Sequence, residues 1–281
     1  MPRKHFKKCR KCHRHRCHNS DQEILALEQE EQVLVERLSE LQKEEDQVEK
    51  QLAMLETIVQ TNLKAQGINF SFQSYNTGKG EFKVPLNVQR MFILVWGGGG
   101  GGTLGGGGRG GGAGGLIVAE VALAPNQPPI TWEVGAGGRG GQEPPRSING
   151  SNGGTSFVSV RNSATGLLAS RFNGFGGVGG IAGRTAPGGF AGFTNAGNII
   201  GDPFRERGRD GADYQLGAMS PGGNAPASPP IFGQVYFGGL GGNNNSVRVG
   251  PDGGIPGGGG AGNYTGGNGG AGQVMFIWAL P

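Results

Sequence analysis

Cysteine and histidine are scarce in this chain and confined to its beginning. The 281 residues contain three cysteines and four histidines, and all seven lie within the first 18 residues. Residues 19–281 therefore offer no cysteine or histidine nucleophile, no histidine base and no histidine ligand for a metal. The sequence predicts a protein that is not an enzyme.

Long apolar runs are also missing. No stretch approaches the roughly 18 consecutive apolar residues that a membrane-spanning helix needs. The basic N-terminus is not followed by the apolar core of a secretory signal. We expect a protein without a membrane span that reaches an outer surface by particle assembly or lysis.

The positive net charge is unevenly distributed. Residues 1–20 carry eight Lys or Arg and no acid, whereas residues 21–60 carry twelve acids against three bases. Two Arg-Gly-Gly sites, at Arg109 and Arg139, are too few for an RNA-binding segment of the Arg-Gly-Gly type. The high pI therefore reflects a basic tip before an acidic segment, and nucleic-acid binding is not predicted.

The basic tip, residues 1–20, has four competing interpretations, of which the simplest is a flexible basic tail that docks on an acidic neighbour. Cys9, Cys12 and Cys17 with one nearby histidine, such as His18, have the ligand types of a zinc site. Cys9-x-x-Cys12-His13 matches the attachment pattern of c-type haem. The interpretation we favour is an anchor, in which the odd number of cysteines links copies of the chain or joins an anchoring structural protein. Under that interpretation the protein has no cofactor.

Residues 21–66 show a heptad pattern. Nine of twelve a and d positions are apolar over nearly six heptads, which predicts a coiled-coil stalk. Additional apolar residues beside the seam favour three strands, so we expect a homotrimer. The predicted oligomerisation residues are Ile24, Leu27, Leu34, Leu38, Leu41, Val48, Leu52, Leu55 and Val59.

Glycine dominates the rest of the chain, because all of the 61 glycines except Gly67 lie beyond residue 76. Apolar segments at 90–96 and 273–281 bracket this region and indicate order rather than a disordered tail. Between the glycine runs, alternating or apolar stretches predict strands at 68–74, 82–86, 91–96, 116–122, 130–134, 155–160 and 274–280. The glycine runs themselves are predicted to be extended, polyproline-II-like segments whose backbones pack closely and bond to each other.

Aromatic residues stand among glycines and asparagines in the predicted loops. Such aromatic and small polar loops are typical of recognition surfaces and suit stacking on sugar rings, while the alternative is that these aromatics form the core. Asp202, Glu206, Asp210 and Asp213 lie among arginines and favour a salt-bridged surface loop, with calcium binding as the alternative. The predicted receptor contacts are Phe190, Phe193, Phe204, Tyr214, Phe232, Tyr236 and Tyr264.

The order of these motifs resembles a known domain. An apolar strand enters a glycine run, a Gly-Ala-Gly-Gly turn follows residues 130–134, Asn152-Gly-Gly-Thr-Ser-Phe157 comes next, and a final strand closes the chain at 273–278. Over residues 82–281 this resembles the glycine-rich domain of phage tail-fibre tips and bacterial surface proteins. The resemblance implies a sandwich of polyglycine-type segments whose variable loops touch a host receptor. The tip and stalk are similar instead to the anchoring ends of spore-surface filaments.

The sequence therefore predicts a fibrous, mainly β fold with an N-terminal coiled-coil helix. Its domains are a Cys/His anchor at 1–20, a stalk at 21–66 and a head at 67–281, made of a strand-rich entry (67–96) and a glycine-rich body (97–281). The predicted function is a structural and adhesive fibre protein of a virion tail fibre, whose head attaches to a surface polysaccharide or receptor. The alternative is a component of a spore or cell-surface filament held by its cysteines.

Overall fold

A computed structural model describes Arg37 and residues 70–105, 109–142, 148–181, 186–212, 221–242, 250–263 and 265–280. The chain divides into two units, Met1–Gln66 and Gly67–Pro281. Arg37 is the one described residue of the first unit. All other described residues belong to the second unit.

The described part of the second unit contains ten β-strands in two sheets. The first sheet has the order β1-β10-β3-β4-β9 and the second β2-β5-β6-β7-β8, and all neighbouring strands are antiparallel. The strands are β1 Phe70–Tyr75, β2 Lys79–Phe82, β3 Arg90–Trp96, β4 Leu116–Ala122, β5 Ile130–Glu133, β6 Ser156–Arg161, β7 Leu168–Gly174, β8 Ala191–Ala196, β9 Ile199–Glu206 and β10 Gln273–Ala279.

The two sheets pack face to face because each buries one set of alternating apolar side chains. Ile93 and Val95 of β3 lie in the same buried cluster as Val158 and Phe172 of the second sheet. Strand side chains alternate between faces, so Leu94 and its neighbours point to the other side of the first sheet. The strand periodicity of the apolar runs thus positions both the inner core and an outer apolar face.

Part of this outer face is covered by the irregular stretch 225–236. Ile231 is buried against the outer side chains of the first sheet, and Phe232 stacks on Phe70 with ring centroids 5.5 Å apart. The Trp96 indole N–H donates to the carbonyl oxygen of Pro226 at 2.9 Å. A second, smaller apolar core results.

Most strands continue directly into glycine-rich segments that leave the sheets. Strand β3 runs into residues 97–104, which we call the central segment, and every N–H of residues 97–102 donates to a different residue of three surrounding segments. The donor and acceptor residues are Gly97–Gly115, Gly98–Gly154, Gly99–Gly270, Gly100–Gly112, Gly101–Ser151 and Gly102–Gly267, with N···O distances of 2.8 to 3.0 Å. Donors three residues apart bond to the same acceptor segment, which is the periodicity of an extended chain with three residues per turn.

The carbonyl oxygens of the central segment accept hydrogen bonds from three further segments with the same three-residue periodicity. Gly98 and Gly101 accept from residues 177–180, Gly99 and Gly102 from residues 138–141, and Gly100 from Gly260, at 2.8 to 2.9 Å. The central segment therefore has six neighbours and uses both hydrogen-bonding groups of each of these residues. We call this arrangement of segments the glycine lattice.

Glycine is required here because the segments approach too closely for a side chain. A Cβ atom added at Gly98 or Gly101 would overlap the carbonyl oxygen of Ala136 or Arg139. One at Gly100 would overlap the carbonyl oxygen of Val178. Backbone contact replaces side-chain packing throughout the centre of the lattice.

Polar side chains complete the hydrogen bonding at the outside of the lattice, where a segment has fewer neighbours. In each case a side-chain oxygen of one segment accepts a backbone N–H of the next, at 2.7 to 3.0 Å. These pairs are Asn152 with Gly179, Asn224 with Gly241, Asn268 with Gly140, Asp210 with Gly188 and Asp252 with Asn268. The asparagines between glycines thus have a structural role, because they satisfy amides that would otherwise lack a partner.

The predicted fold class is wrong. The described residues 70–280 form two packed antiparallel sheets with no helix among their elements, in place of a fibrous chain that begins with a coiled-coil helix. The physical reason is that apolar side chains are buried between sheets and glycine segments are bonded to one another. Residues 21–66, with the predicted seam, lie outside the described residues apart from Arg37. No helix in the described part has the length and hydrophobicity that a membrane crossing requires.

The strands predicted at 91–96, 116–122, 130–134, 155–160 and 274–280 are confirmed as β3, β4, β5, β6 and β10, within one residue at each end. The strand predicted at 68–74 corresponds to β1. The prediction at 82–86 is shifted, because β2 ends at Phe82. Strands β7, β8 and β9 were missed, and β9 occupies much of the loop predicted around Asp202.

The lattice predicts that a methyl group at its centre is far more damaging than one at its edge. Gly100→Ala should lower the free energy of unfolding by about 3 kcal/mol, because the new Cβ overlaps the Val178 carbonyl. Gly192→Ala on β8 is the control, since its Cβ would meet Phe175 at 3.8 Å. Urea unfolding followed by circular dichroism measures both, and equal midpoints for the two variants would contradict the close-packed lattice.

The polar side chains at the outside of the lattice give a second prediction. Asn224→Ala should cost about 1 kcal/mol, because the Gly241 amide loses the acceptor that lies 2.7 Å away. Asn224→Asp keeps an acceptor oxygen and should recover most of the loss. Thermal unfolding of the three proteins measures the effect, and an aspartate variant no better than the alanine variant would show that the acceptor does not matter.

Candidate recognition site

The ends of the glycine segments remote from the sheets come together. Thr103 and Leu104 of the central segment donate to the carbonyl oxygens of Arg109 and Ile148, and Gly105 donates to that of Asn263, at 2.8 to 2.9 Å. The same end contains the residues that flank six chain connections, namely 106–108, 143–147, 182–185, 213–220, 243–249 and 264, which lie outside the described residues. We call this end of the lattice the end face.

Further backbone bonds hold the other flanking residues to the end face. The N–H of Ala212 donates to Pro221 at 2.9 Å, and that of Gly250 donates to Thr265 at 2.7 Å. Gly211 donates to Ala186 at 2.9 Å. The lattice therefore fixes the positions from which all six connections start and finish.

Beside the end face lies a groove of about 820 Å³. Three segments form it, and polar side chains alternate with glycine backbone along its walls. Its lining residues are Gly137, Gly138, Arg139, Gly140, Gln142, Asn149, Ser151 and Asn268. We call this the polar groove.

Hydrogen bonds between segments hold the backbone of the polar groove in place. The N–H of Arg139 donates to Ser151 Oγ at 2.7 Å, and the N–H of Gly140 donates to Asn268 Oδ1 at 3.0 Å. Asn268 is held in turn by Asp252, whose Oδ1 accepts its N–H at 2.7 Å. The side chain of Arg139 is exposed, and no carboxylate in the described part of the chain forms an ion pair with it. The groove thus presents a guanidinium beside amide and hydroxyl groups.

Most of the described aromatic residues predicted to contact a receptor lie elsewhere and pack against the protein. Phe193 packs on the inner core, and Phe232 and Tyr236 pack on the outer core. Phe204 lies on β9 with 37% of its surface exposed. Phe190 is 62% exposed, with the Arg207 guanidinium 5.1 Å from its ring centroid. Whether any of them contacts a receptor stays a prediction.

The remaining predicted site residues lie outside the described residues. These are Tyr214 and Tyr264, the anchor residues Cys9, Cys12, Cys17 and His18, and the seam from Ile24 to Val59. The predicted anchor, zinc site and homotrimer therefore stay predictions. Within the described ranges no group of three or more His, Cys, Asp or Glu is arranged to hold a metal ion.

Two tyrosines have shifted ionisation. Burial raises the pKa of Tyr236, whose hydroxyl makes no hydrogen bond, and burial likewise raises the pKa of Tyr75. Tyr75 stacks on Trp132 with ring centroids 3.9 Å apart. Both belong to the apolar packing of the sheets, and neither lines the polar groove.

The polar groove was missed by the sequence analysis. Arg139 drew attention as an Arg-Gly site, yet nothing nearby in sequence indicates Asn268 as its neighbour. The signal that was available is the position of polar residues at the borders of glycine runs. It could not separate a side chain that completes the lattice, such as Asn152, from one that lines the polar groove, such as Asn149.

Comparison with known proteins gives one relationship. No curated protein matches the chain. A family model described as a glycine-rich domain matches residues 75–279, which include all the described strands except the first residues of β1. Because this match covers most of the chain, the protein belongs to the glycine-rich domain family.

Proposed function

We propose that this protein is a non-enzymatic adhesive protein whose glycine-rich head attaches to a polysaccharide or receptor on a cell surface, as the tip of a phage tail fibre does. The part it plays is recognition on the outside of a particle or cell. The observation that carries the proposal is the end face, where a rigid lattice brings the flanks of six chain connections together beside the polar groove.

The glycine lattice suits this role because backbone hydrogen bonds, more than side chains at its end, hold its segments together. Backbone hydrogen bonds hold the segments, so residues at the connections can change without disturbing a core. Recognition residues in proteins are commonly carried on loops that a rigid scaffold positions. The arrangement favours a surface that can be adapted to different receptors.

The chemistry of the polar groove favours an acidic polysaccharide. Arg139 offers a planar guanidinium that can bind a carboxylate or phosphate group with two hydrogen bonds. Asn149 and Gln142 add amide groups of the kind that bind sugar hydroxyls. A groove open to solvent admits an extended polymer as well as its end.

A non-enzymatic role is supported by composition as well as by the site. Residues 19–281 contain no cysteine or histidine, and the described lining residues of the groove offer arginine, amides and a hydroxyl, with no carboxylate among them to act as a base. The alternative function, a spore or cell-surface filament anchored through Cys9, Cys12 and Cys17, depends on residues outside the described part. It stays a prediction that release by reductant from a surface layer would test.

Binding to isolated polysaccharides tests the proposal. The full chain, screened against an array of bacterial wall and capsular polysaccharides, should bind at least one acidic polymer. Arg139→Ala should weaken that binding at least about tenfold, because a charge-assisted pair contributes roughly 1.5–3 kcal/mol. Surface plasmon resonance on the selected polymer measures the change.

The matched control for this experiment is Arg161→Ala. Arg161 is also exposed but ends β6, at the part of the sheets remote from the end face. Its replacement should leave the dissociation constant unchanged. The proposal fails if no polysaccharide binds the full chain, or if both arginine variants bind as well as the original protein.

A further inference from the structure

The two sheets end in four edge strands, and an edge strand presents unpaired backbone groups that can bind another strand. In the first sheet the edges are β1 and β9, and in the second they are β2 and β8. Proteins commonly protect such edges with charges, proline, bulges or short length. Comparing the four edges therefore shows which of them is open to a partner.

Three of the four edges carry such protection. Strand β9 contains Pro203 and a left-handed Gly201, and its register with β4 shifts between Val118 and Glu120. Strand β8 pairs with a register shift and has Asn195 at positive φ. Strand β2 has four residues, of which two are charged.

Strand β1 has none of these features. Its sequence, Phe-Ser-Phe-Gln-Ser-Tyr, contains no charge, proline or glycine. Six consecutive residues pair with β10 without a shift in register. Residues 72–74 in the middle of the strand are exposed, and the side chain of Phe72 is 38% exposed. The edge is regular and uncharged, and it is accessible at residues 72–74.

We propose that the free edge of β1 pairs with β1 of a second copy of this chain, antiparallel and across a two-fold axis. A second copy offers four edges in its described part, and three of them are protected against strand addition. The remaining edge is β1 itself, so pairing between two copies joins β1 to β1. This inference is independent of the proposed recognition function, because the end face lies at the other end of the glycine segments.

The sequence of β1 is compatible with pairing to itself. Centred on Phe72, an antiparallel pair places Phe70 opposite Ser74 and Ser71 opposite Gln73, and no like charges meet. The two exposed Phe72 side chains lie opposite one another on the outer face, next to Ile277 of each β10. Aromatic pairs across neighbouring strands stabilise a sheet.

Pairing of this kind stops at two units. A two-fold interface uses the same surface on both partners, so it consumes both open edges and leaves none for further growth. The two first sheets become one sheet of ten strands. The protected edges β9 then lie at its two outer borders, which prevents extension into a fibre.

Two matched phenylalanines provide the test. Phe72 and Phe204 lie on the same outer face of the same sheet, at its opposite edges, and are 38% and 37% exposed. Sedimentation equilibrium of the full chain in reductant, which prevents linkage through Cys9, Cys12 and Cys17, should show a concentration-dependent doubling of the mass of the smallest species. Phe72→Lys should raise the dissociation constant of this doubling at least about tenfold, because two lysines would face each other across the axis.

The control variant carries its lysine at the opposite edge of the same sheet. Phe204→Lys should leave the doubling unchanged, and circular dichroism should show that both variants fold. A constant mass over the whole concentration range would overturn the proposal. Coverage of the β1 edge by another part of the same chain would give this result. Equal effects of the two lysines would also overturn it, because loss of an exposed phenylalanine would then matter at either edge.

Discussion

The structure depends on hydrogen bonds between glycine backbones. Each residue from Gly98 to Gly102 both donates and accepts a bond, and six neighbouring segments are involved. Such contacts require the absence of Cβ atoms, since an added carbon would overlap carbonyl oxygens on adjacent segments. Glycine is entropically costly to order, and the dense network of backbone bonds offsets that cost where a core of side chains cannot form. The sheets supply conventional apolar cores and align the segments that leave them.

The sheets could be predicted from the sequence better than the glycine lattice could. Strands β3, β4 and β10 were predictable because long apolar runs have an unambiguous strand character. Strands β7 and β8 contain glycine, serine and asparagine and lie at or near an edge, so they lack that signal. The heptad pattern led to a predicted fold class that begins with a coiled-coil helix. The described residues 70–280 instead form two antiparallel sheets. Glycine runs are chemically almost identical, so nothing in them indicates which run lies beside which.

The same reasoning explains why the polar groove could not be found in advance. Arg139 and Asn268 are separated by 129 residues and meet because two glycine segments are neighbours in the lattice. Asparagine in this chain has two roles that the sequence does not distinguish. Asn224 accepts the backbone N–H of a neighbouring segment outside the polar groove, whereas Asn149 lines that groove. The distinction is a matter of position around the lattice, which the local sequence does not encode.

The wide sequence separation of the contacts around the central segment has a consequence for how the protein forms. Gly98 bonds to Gly154, Gly100 receives a bond from Gly260, and Gly99 bonds to Gly270, so segments made early wait for partners made last. Contacts between residues far apart in sequence slow folding, because large loops must close before any bond forms. During synthesis the central segment therefore lacks part of its bonding until the segments around residues 260 and 270 have been made. Maturation of this protein is expected to be slow, post-translational and cooperative.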